Sequence, residues 1–202
     1  MISQLATAIL PMALFSLTTS ISPGPVNFIA LSLGTQKHKR QAFAFVSGAT
    51  IGFTVLLALL GLGMEQLLTT YQPLLTVFNL LGSLFIAYLG YKIFTSRSPI
   101  STNQNNGGGF MHGFLLQWLN PKAWGSCLAG HAAFQTSNAP ELLALFTLIY
   151  LIVCFVGVGS WAVAGTQISH LLSNQRTLCL FNRIMGGALI LLALFLALQP
   201  YL

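Results

Sequence analysis

Six long apolar segments run through this chain and limit what it can fold into. Most of them reach the roughly 20 residues that an α-helix needs to cross the hydrocarbon core of a bilayer. Only 5% of the residues are charged, whereas a soluble domain carries about 25%. Because so few polar groups cannot cover a surface in water, we predict an all-α integral membrane protein. The segments are approximately 5–35, 42–64, 73–94, 110–133, 142–168 and 183–199.

The basic residues fall on one side of this six-helix arrangement. Connections after the first, third and fifth segments carry seven of the eight Lys and Arg residues. The opposite connections contain Glu65 and Glu141 and no Lys or Arg. Positive charge is retained on the cytoplasmic side of membrane proteins, so we expect these connections in the cytoplasm and both termini outside. The seven residues are Lys37, Lys39, Arg40, Lys92, Arg97, Arg176 and Arg183.

A polar, glycine-rich stretch at 96–109 divides the segments into two sets of three. We expect one transmembrane domain over 1–202, with a first half at 1–95, this stretch as a cytoplasmic linker, and a second half at 110–202. Because three is an odd number of crossings, the second half enters the membrane from the side opposite to the first. The topology therefore predicts two inverted three-helix repeats.

Proline interrupts the first segment at Ser22-Pro23-Gly24-Pro25 and the fourth at Asn120-Pro121-Lys122, which are matching places in the two halves. Proline lacks an N–H and clashes with the preceding helical turn, so helices one and four are predicted to be broken. Inside a bilayer the freed backbone groups need a partner in the protein or a wet cavity. A single kink would suggest packing only, whereas two breaks at equivalent positions are typical of a transporter binding site.

Each predicted break exposes both acceptors and donors. The carbonyls of Thr19, Ile21 and Gln117 lose their helical donors, and new helix N-termini after Pro25 and Pro121 present amides that favour anions. Gly24 permits a turn and the close approach of a ligand. Carbonyls suit an ammonium and amides suit a carboxylate, so the breaks predict a site for a zwitterion. The predicted substrate-binding residues are Ser22, Pro23, Gly24, Pro25, Asn27, Gln117, Asn120, Pro121 and Lys122.

Lys122 is the most informative single residue. In a straight helix that starts near Phe110 it would lie about 18 Å deep, where a lone ammonium costs about 2.5–3.5 kcal/mol. The sequence has no Asp, and both Glu residues fall at predicted outer ends. We therefore expect Lys122 in a water-filled cavity, where it binds a substrate carboxylate or carries a proton. The alternative is a later helix start, which would let it reach the lipid headgroups.

Several other polar or small residues have two interpretations. Asn27 and Asn120 either contact the substrate or satisfy the broken backbone, because each carries a donor and an acceptor. Gly48 and the glycine four residues later have a spacing that favours close helix packing. The histidines near the two ends of the fourth segment, His112 and His131, are expected to be interfacial.

Other classes of function are poorly supported. Without an intramembrane acid, no Ser-His-acid or paired-carboxylate site can be built, so neither an enzyme nor a cofactor is expected. The three cysteines have no metal-ligand spacing, and the few basic residues form no stripe for nucleic acid. Two alternatives to a transporter are a membrane thiol–disulfide carrier, although the first half contains no cysteine, and a passive channel.

The motif Ser22-Pro23-Gly24-Pro25-Val26-Asn27, the basic residues after it, and the stretch from Gly113 to Asn120-Pro121-Lys122-Ala123 resemble the LysE/RhtB family of amino-acid exporters. The resemblance is greatest to the RhtB-like branch and covers essentially the whole chain. It implies a multi-pass secondary transporter of the bacterial inner membrane. The implied substrates are small neutral amino acids or derivatives, such as homoserine, threonine or cysteine.

The same resemblance implies export driven by the proton motive force. Some members carry Asp shortly after the second proline of the first motif, where this chain has Asn27, so that carboxylate is missing here. Membrane lipid is the expected surrounding, and helix faces of small residues permit a homodimer.

Overall fold

Eight α-helices make up the part of the chain that the computed structural model describes, residues 2–36, 38–64, 72–97, 108–136 and 139–198. A π-helical turn at Leu60–Met64 extends α3, and a 3₁₀ turn at Leu171–Ser173 precedes α8. Most of the expected linker at 96–109 lies outside the described residues, as do Lys37 and Glu65. The helices are α1 (Ile2–Ile21), α2 (Pro25–Thr35), α3 (Lys39–Leu59), α4 (Gln72–Thr95), α5 (Gly108–Trp118), α6 (Pro121–Phe134), α7 (Pro140–Ile168) and α8 (Gln175–Leu198).

Three of the described helices are long and apolar enough to cross a bilayer alone, namely α3 with its π turn, α7 and α8. The helices α1 and α2 meet the same criteria together, with a bend of 64° between them, which gives up to four spans. Large apolar side chains cover the outside, as at Leu10, Phe43 and Leu191. The all-helical membrane fold agrees with the sequence, while the count of six crossings stays a prediction.

Both breaks fall where the sequence places them. A non-helical stretch from Ser22 to Gly24 separates α1 from α2, and Asn120 precedes α6. Pro25 and Pro121 occupy the first position of the new helix, where a missing N–H costs nothing and the fixed φ suits the helix. Each proline therefore starts a helix instead of kinking an existing one. Proline alone is not sufficient for a break, because Pro11 lies inside α1.

The last helix begins earlier than the apolar pattern predicts. It starts at Gln175, so Arg176 and Arg183 lie on α8, exposed, and not in a connection. In its first turn the Asn174 Oδ1 accepts the backbone N–H of Arg176 at 2.9 Å. An apolar pattern indicates which residues can contact lipid and does not indicate where a helix starts. The polar beginning of α8 therefore lies outside the apolar segment 183–199.

Glycine brings the helices into close contact. A Cβ added to Gly48 of α3 would overlap the backbone of Phe110 on α5, and one on Gly52 would lie 2.6 Å from the carbonyl oxygen of Phe114. The prediction that these two glycines serve packing is confirmed. The main apolar core is built from α1, α2, α3, α5, α6 and α7 and includes the buried ring of Phe146.

Candidate functional site

The two breaks meet through the side chain of Lys122. Its Nζ donates a hydrogen bond of 2.7 Å to the carbonyl of Ser22 and one of 3.3 Å to the carbonyl of Pro23. Ser22 and Pro23 precede α2, and Lys122 lies in the first turn of α6, so these bonds join the first half of the chain to the second. The expected meeting of the breaks is confirmed, and the ammonium is held by protein carbonyls.

Gly24 makes room for this contact. A Cβ added to Gly24 would lie 3.3 Å from both Cδ and Nζ of Lys122. The backbone of Gly24 is extended, with φ −174° and ψ 174°, a conformation that any residue can adopt. Glycine at this position therefore leaves space for the flexible end of the Lys122 side chain, and the backbone does not need it for the turn that the sequence suggested.

The carbonyls released by the breaks are already hydrogen-bonded. The carbonyl of Thr19 accepts from Ser22 Oγ at 2.9 Å, and that of Ile21 accepts from Trp161 Nε1 at 3.0 Å. The carbonyl of Gln117 accepts a backbone N–H from within the second break at 3.2 Å. The sequence suggested that these three carbonyls would be free for a substrate ammonium. In this conformation each already accepts a hydrogen bond from within the protein, as buried acceptors generally do.

Two asparagines stabilise the broken backbone. Asn27 is 3% exposed, and its Nδ2 donates to the carbonyls of Ser20 at 2.9 Å and Ser22 at 2.7 Å. Asn120 caps α6, since its Oδ1 accepts the backbone N–H of Lys122 at 3.2 Å. Of the two roles left open by the sequence, the structure shows the backbone role, and substrate contact by either side chain stays a prediction.

A small cavity of about 30 Å³ lies beside Lys122. This is room for one or two water molecules, so the conformation is closed to a molecule as large as an amino acid. Five of the nine predicted substrate-binding residues line the cavity, namely Gly24, Asn27, Gln117, Asn120 and Lys122.

The remaining four predicted residues contribute in other ways. Ser22 and Pro23 reach Lys122 through their carbonyls. Pro25 and Pro121 start the half-helices and do not line the cavity. Pro121 also packs against α4, where a Cβ added to Gly82 would lie 2.7 Å from its Cδ.

The sequence did not reveal the part of the cavity wall made by α3 and α7. Phe53, Tyr150 and Cys154 line it, and the rings of Phe53 and Tyr150 stack with centroids 4.2 Å apart. A signal was available in the position of Tyr150, which lies in the middle of an apolar segment and far from the interfaces where membrane tyrosines concentrate. Cys154 follows one helical turn later on the same face.

The sequence predicted that His131 would lie at the membrane interface. In the structure its side chain is buried within the protein. It is 1% exposed, its Nε2 lies 2.9 Å from the carbonyl oxygen of Leu57, and its Nδ1 bonds to the hydroxyl of Thr136. These bonds connect the end of α6 to the end of α3, just before the π turn. The other histidine of this segment, His112, is half-buried, with its ring edge-on to Phe45.

Two broken helices whose ends converge on a half-buried lysine, in an apolar helical fold, are features of membrane transport proteins. Comparison with known proteins agrees with that class. The chain belongs to the LysE family, because the family model "LysE type translocator" matches residues 17–200. The resemblance drawn from the two motifs is thereby confirmed.

Relatives of known name extend over nearly the whole chain. It is 30% identical over 193 residues to the cysteine/O-acetylserine efflux proteins of Salmonella choleraesuis (strain SC-B67) and Salmonella typhimurium (strain LT2), which covers 93% of this chain and 94% of each relative. The cysteine/O-acetylserine efflux protein of Escherichia coli O1:K1 is 29% identical over the same length. No solved structure matches the chain.

Proposed function

We propose that this protein is a secondary transporter that exports small neutral amino acids or their derivatives from the cytoplasm by alternating access. The observation that carries the proposal is the contact of Lys122, in the second break, with the carbonyls of Ser22 and Pro23 in the first. Relatives named for the efflux of cysteine and O-acetylserine support this substrate class. Homoserine and threonine are of similar size and polarity.

Lys122 is the group that we assign to the substrate carboxylate. An entering carboxylate forms a charge-assisted hydrogen bond with Nζ, which draws the ammonium away from Ser22 and Pro23. Their two carbonyls then become available to the substrate ammonium. Without substrate, Lys122 therefore binds the same two carbonyls that the substrate ammonium would bind.

Export by this route requires the site to open on each side in turn, because a cavity of about 30 Å³ cannot admit an amino acid. The two halves of the chain meet at the breaks, so a rocking motion of one half against the other would widen the cavity. Such motion around a fixed midplane site is how transporters built from inverted repeats work.

Helix contacts support two inverted three-helix repeats. In this scheme the pair α1–α2 corresponds to α5–α6, α3 to α7, and α4 to α8. The contact of α3 with α5, at Gly48, then corresponds to the contact of α7 with the pair α1–α2, at Gly157 and Gly165. Because α4 corresponds to α8, the contact between Gly90 of α4 and Gly186 of α8 is its own equivalent when the two halves are exchanged. With both termini outside, the protein would lie in the bacterial inner membrane as a six-span protein.

Replacement of Lys122 by Ala tests the proposal. We expect uptake of labelled O-acetylserine or homoserine into inside-out vesicles, with an imposed proton gradient, to fall about 10- to 100-fold. This is the loss expected when a charged hydrogen-bond partner is removed. The matched control is Lys92→Ala, because Lys92 is exposed on α4, and this variant should transport as the wild type does.

Two outcomes would contradict the proposal. Wild-type uptake by Lys122→Ala, at a normal protein level, would remove Lys122 from the site. Uptake that only equilibrates the substrate and ignores an uncoupler would indicate a passive channel, whereas a coupled transporter accumulates substrate against its gradient.

A further inference from the structure

One hydroxyl in the polar run at the end of α1 has no hydrogen bond within the part of the chain that the structure describes. The hydroxyls of Ser16, Thr18, Thr19 and Ser22 each donate to a carbonyl three or four residues earlier, at 2.7–2.9 Å. The Ser20 Oγ approaches the side chains of Tyr150 and Cys154 without completing a hydrogen bond to either, although Ser20 is only 6% exposed. A buried hydroxyl without a partner costs free energy, and in a native structure it requires an explanation.

The unpartnered hydroxyl belongs to the wall of the cavity beside Lys122. Ser20 lines that cavity together with Tyr150 and Cys154 of α7. Close packing holds it there, since a Cβ added to Gly157 of α7 would lie 2.8 Å from the Ser20 Cβ. The carbonyl of Ser20 is fixed by Asn27, so its hydroxyl is the part of the residue left for a ligand.

The hydrogen-bond direction at Tyr150 depends on its neighbour. The Tyr150 hydroxyl lies 2.7 Å from Thr19 Oγ1, which also lies 2.8 Å from the carbonyl oxygen of Phe15. Either oxygen can donate across this contact; when Thr19 donates to Phe15, Tyr150 donates to Thr19 and keeps lone pairs on its own oxygen. With that direction, this wall offers an acceptor at Tyr150 and both a donor and an acceptor at Ser20.

We propose that Ser20, Tyr150 and Cys154 form the subsite for the substrate side chain, and that this subsite selects side chains that carry a hydroxyl, thiol or ester oxygen. The inference rests on the proposed function and names its substrate class. Such a side chain gives the Ser20 hydroxyl its missing partner. An apolar side chain of the same shape leaves that hydroxyl buried and unpaired, which is the arrangement that lets a binding site reject an analogue.

The test compares two substrates that differ in the side-chain hydroxyl, homoserine and 2-aminobutyrate, in inside-out vesicles. We expect the wild type to prefer homoserine, and Ser20→Ala to lower the ratio of the two initial rates about three- to tenfold, the effect of one neutral hydrogen bond. The matched control is Ser16→Ala, which makes the same change one turn earlier in α1. Ser16 is buried, bonds to the carbonyl of Met12 and does not line the cavity, so its ratio should stay at the wild-type value.

A second variant keeps the inference testable if Ser20→Ala reaches the membrane poorly. Tyr150→Phe retains the ring that stacks on Phe53 but removes the acceptor, and it should also lower the ratio. An unchanged ratio in both variants would overturn the inference while leaving the transporter proposal intact. If the wild type transports neither of these compounds nor O-acetylserine, the proposed function fails and this inference fails with it.

Discussion

At the scale of single residues, the arrangement around Lys122 shows how a membrane protein can hold a lysine on backbone carbonyls. An ammonium in hydrocarbon needs acceptors for three N–H donors. Two residues of the first break, Ser22 and Pro23, supply carbonyls to Nζ at 2.7 and 3.3 Å, and the adjoining cavity leaves room beside it. The acceptors exist only because the helix is interrupted, since a continuous helix would use them internally.

Asn27 supports the same stretch of backbone, and its replacement should reduce stability. In Asn27→Leu the carbonyl of Ser20 loses its side-chain donor, while that of Ser22 keeps Lys122. We expect the free energy of unfolding to fall by about 1–3 kcal/mol, the cost of an unsatisfied buried acceptor. Denaturant unfolding in detergent micelles, followed by circular dichroism, measures this change.

The control for Asn27→Leu is Thr18→Val in the preceding helix. Thr18 is exposed and its hydroxyl bonds only to its own helix, so its unfolding free energy should change by no more than about 0.5 kcal/mol. Equal stability of Asn27→Leu and the wild type would show that the side chain of Asn27 does not hold the first break together.

At the scale of helices, the sequence predicted the breaks and the close packing but not the full site. Pro25 and Pro121 could be interpreted because proline has a local effect on the backbone. The roles of Tyr150 and His131 depend on which helices pack together, and periodicity does not report that. The hydroxyl of Ser20 differs from its neighbours only through its contact with α7, so a polar run in the sequence could not single it out.

Glycine contacts set the distance between α3 and α5, and enlarging one of them should separate these helices. In Gly48→Ala the new methyl group overlaps the backbone of Phe110, which cannot move aside as a flexible side chain could. We expect a loss of about 1–3 kcal/mol in unfolding free energy, typical of overpacking. The same separation would weaken the bond of 3.3 Å from Gln117 Nε2 to the carbonyl of Ala49, which connects α3 to the second break.

The matched control is Gly125→Ala on α6, where an added Cβ meets nothing within 4 Å. Alanine favours a helix by up to about 1 kcal/mol over glycine, so this variant should be as stable as the wild type or more stable. A similar loss of stability in both variants would mean that backbone flexibility, and not helix contact, explains the effect of Gly48→Ala.

At the scale of the whole molecule, the closed cavity and the paired helix contacts describe one conformation of a proposed two-sided cycle. The halves meet where Lys122 bonds to the first break, and the contact at Gly90 and Gly186 lies on the proposed two-fold axis. In the proposed mechanism a substrate carboxylate draws Lys122 away from Ser22 and Pro23, so its entry would also loosen the contact between the two halves.

The proposed inverted repeat also predicts which side of the membrane each connection faces. His38, exposed between α2 and α3, should face the cytoplasm beside Lys39 and Arg40, whereas Glu141, exposed at the start of α7, should face outside. The direction follows from the retention of positive charge inside. Three crossings separate the two positions in this scheme, formed by α3, by α4 and by the pair α5–α6.

Labelling of single cysteines measures directly which side of the membrane each of these two positions faces. In a variant whose native cysteines are replaced by Ser, Glu141→Cys should react with a membrane-impermeant maleimide in intact cells, and His38→Cys should react only after permeabilisation. The reverse pattern would show that the predicted orientation is inverted. Reaction of both positions from the same side would require an even number of crossings between them, so the second half could not be inverted relative to the first, and alternating access around a two-fold axis would have no structural basis.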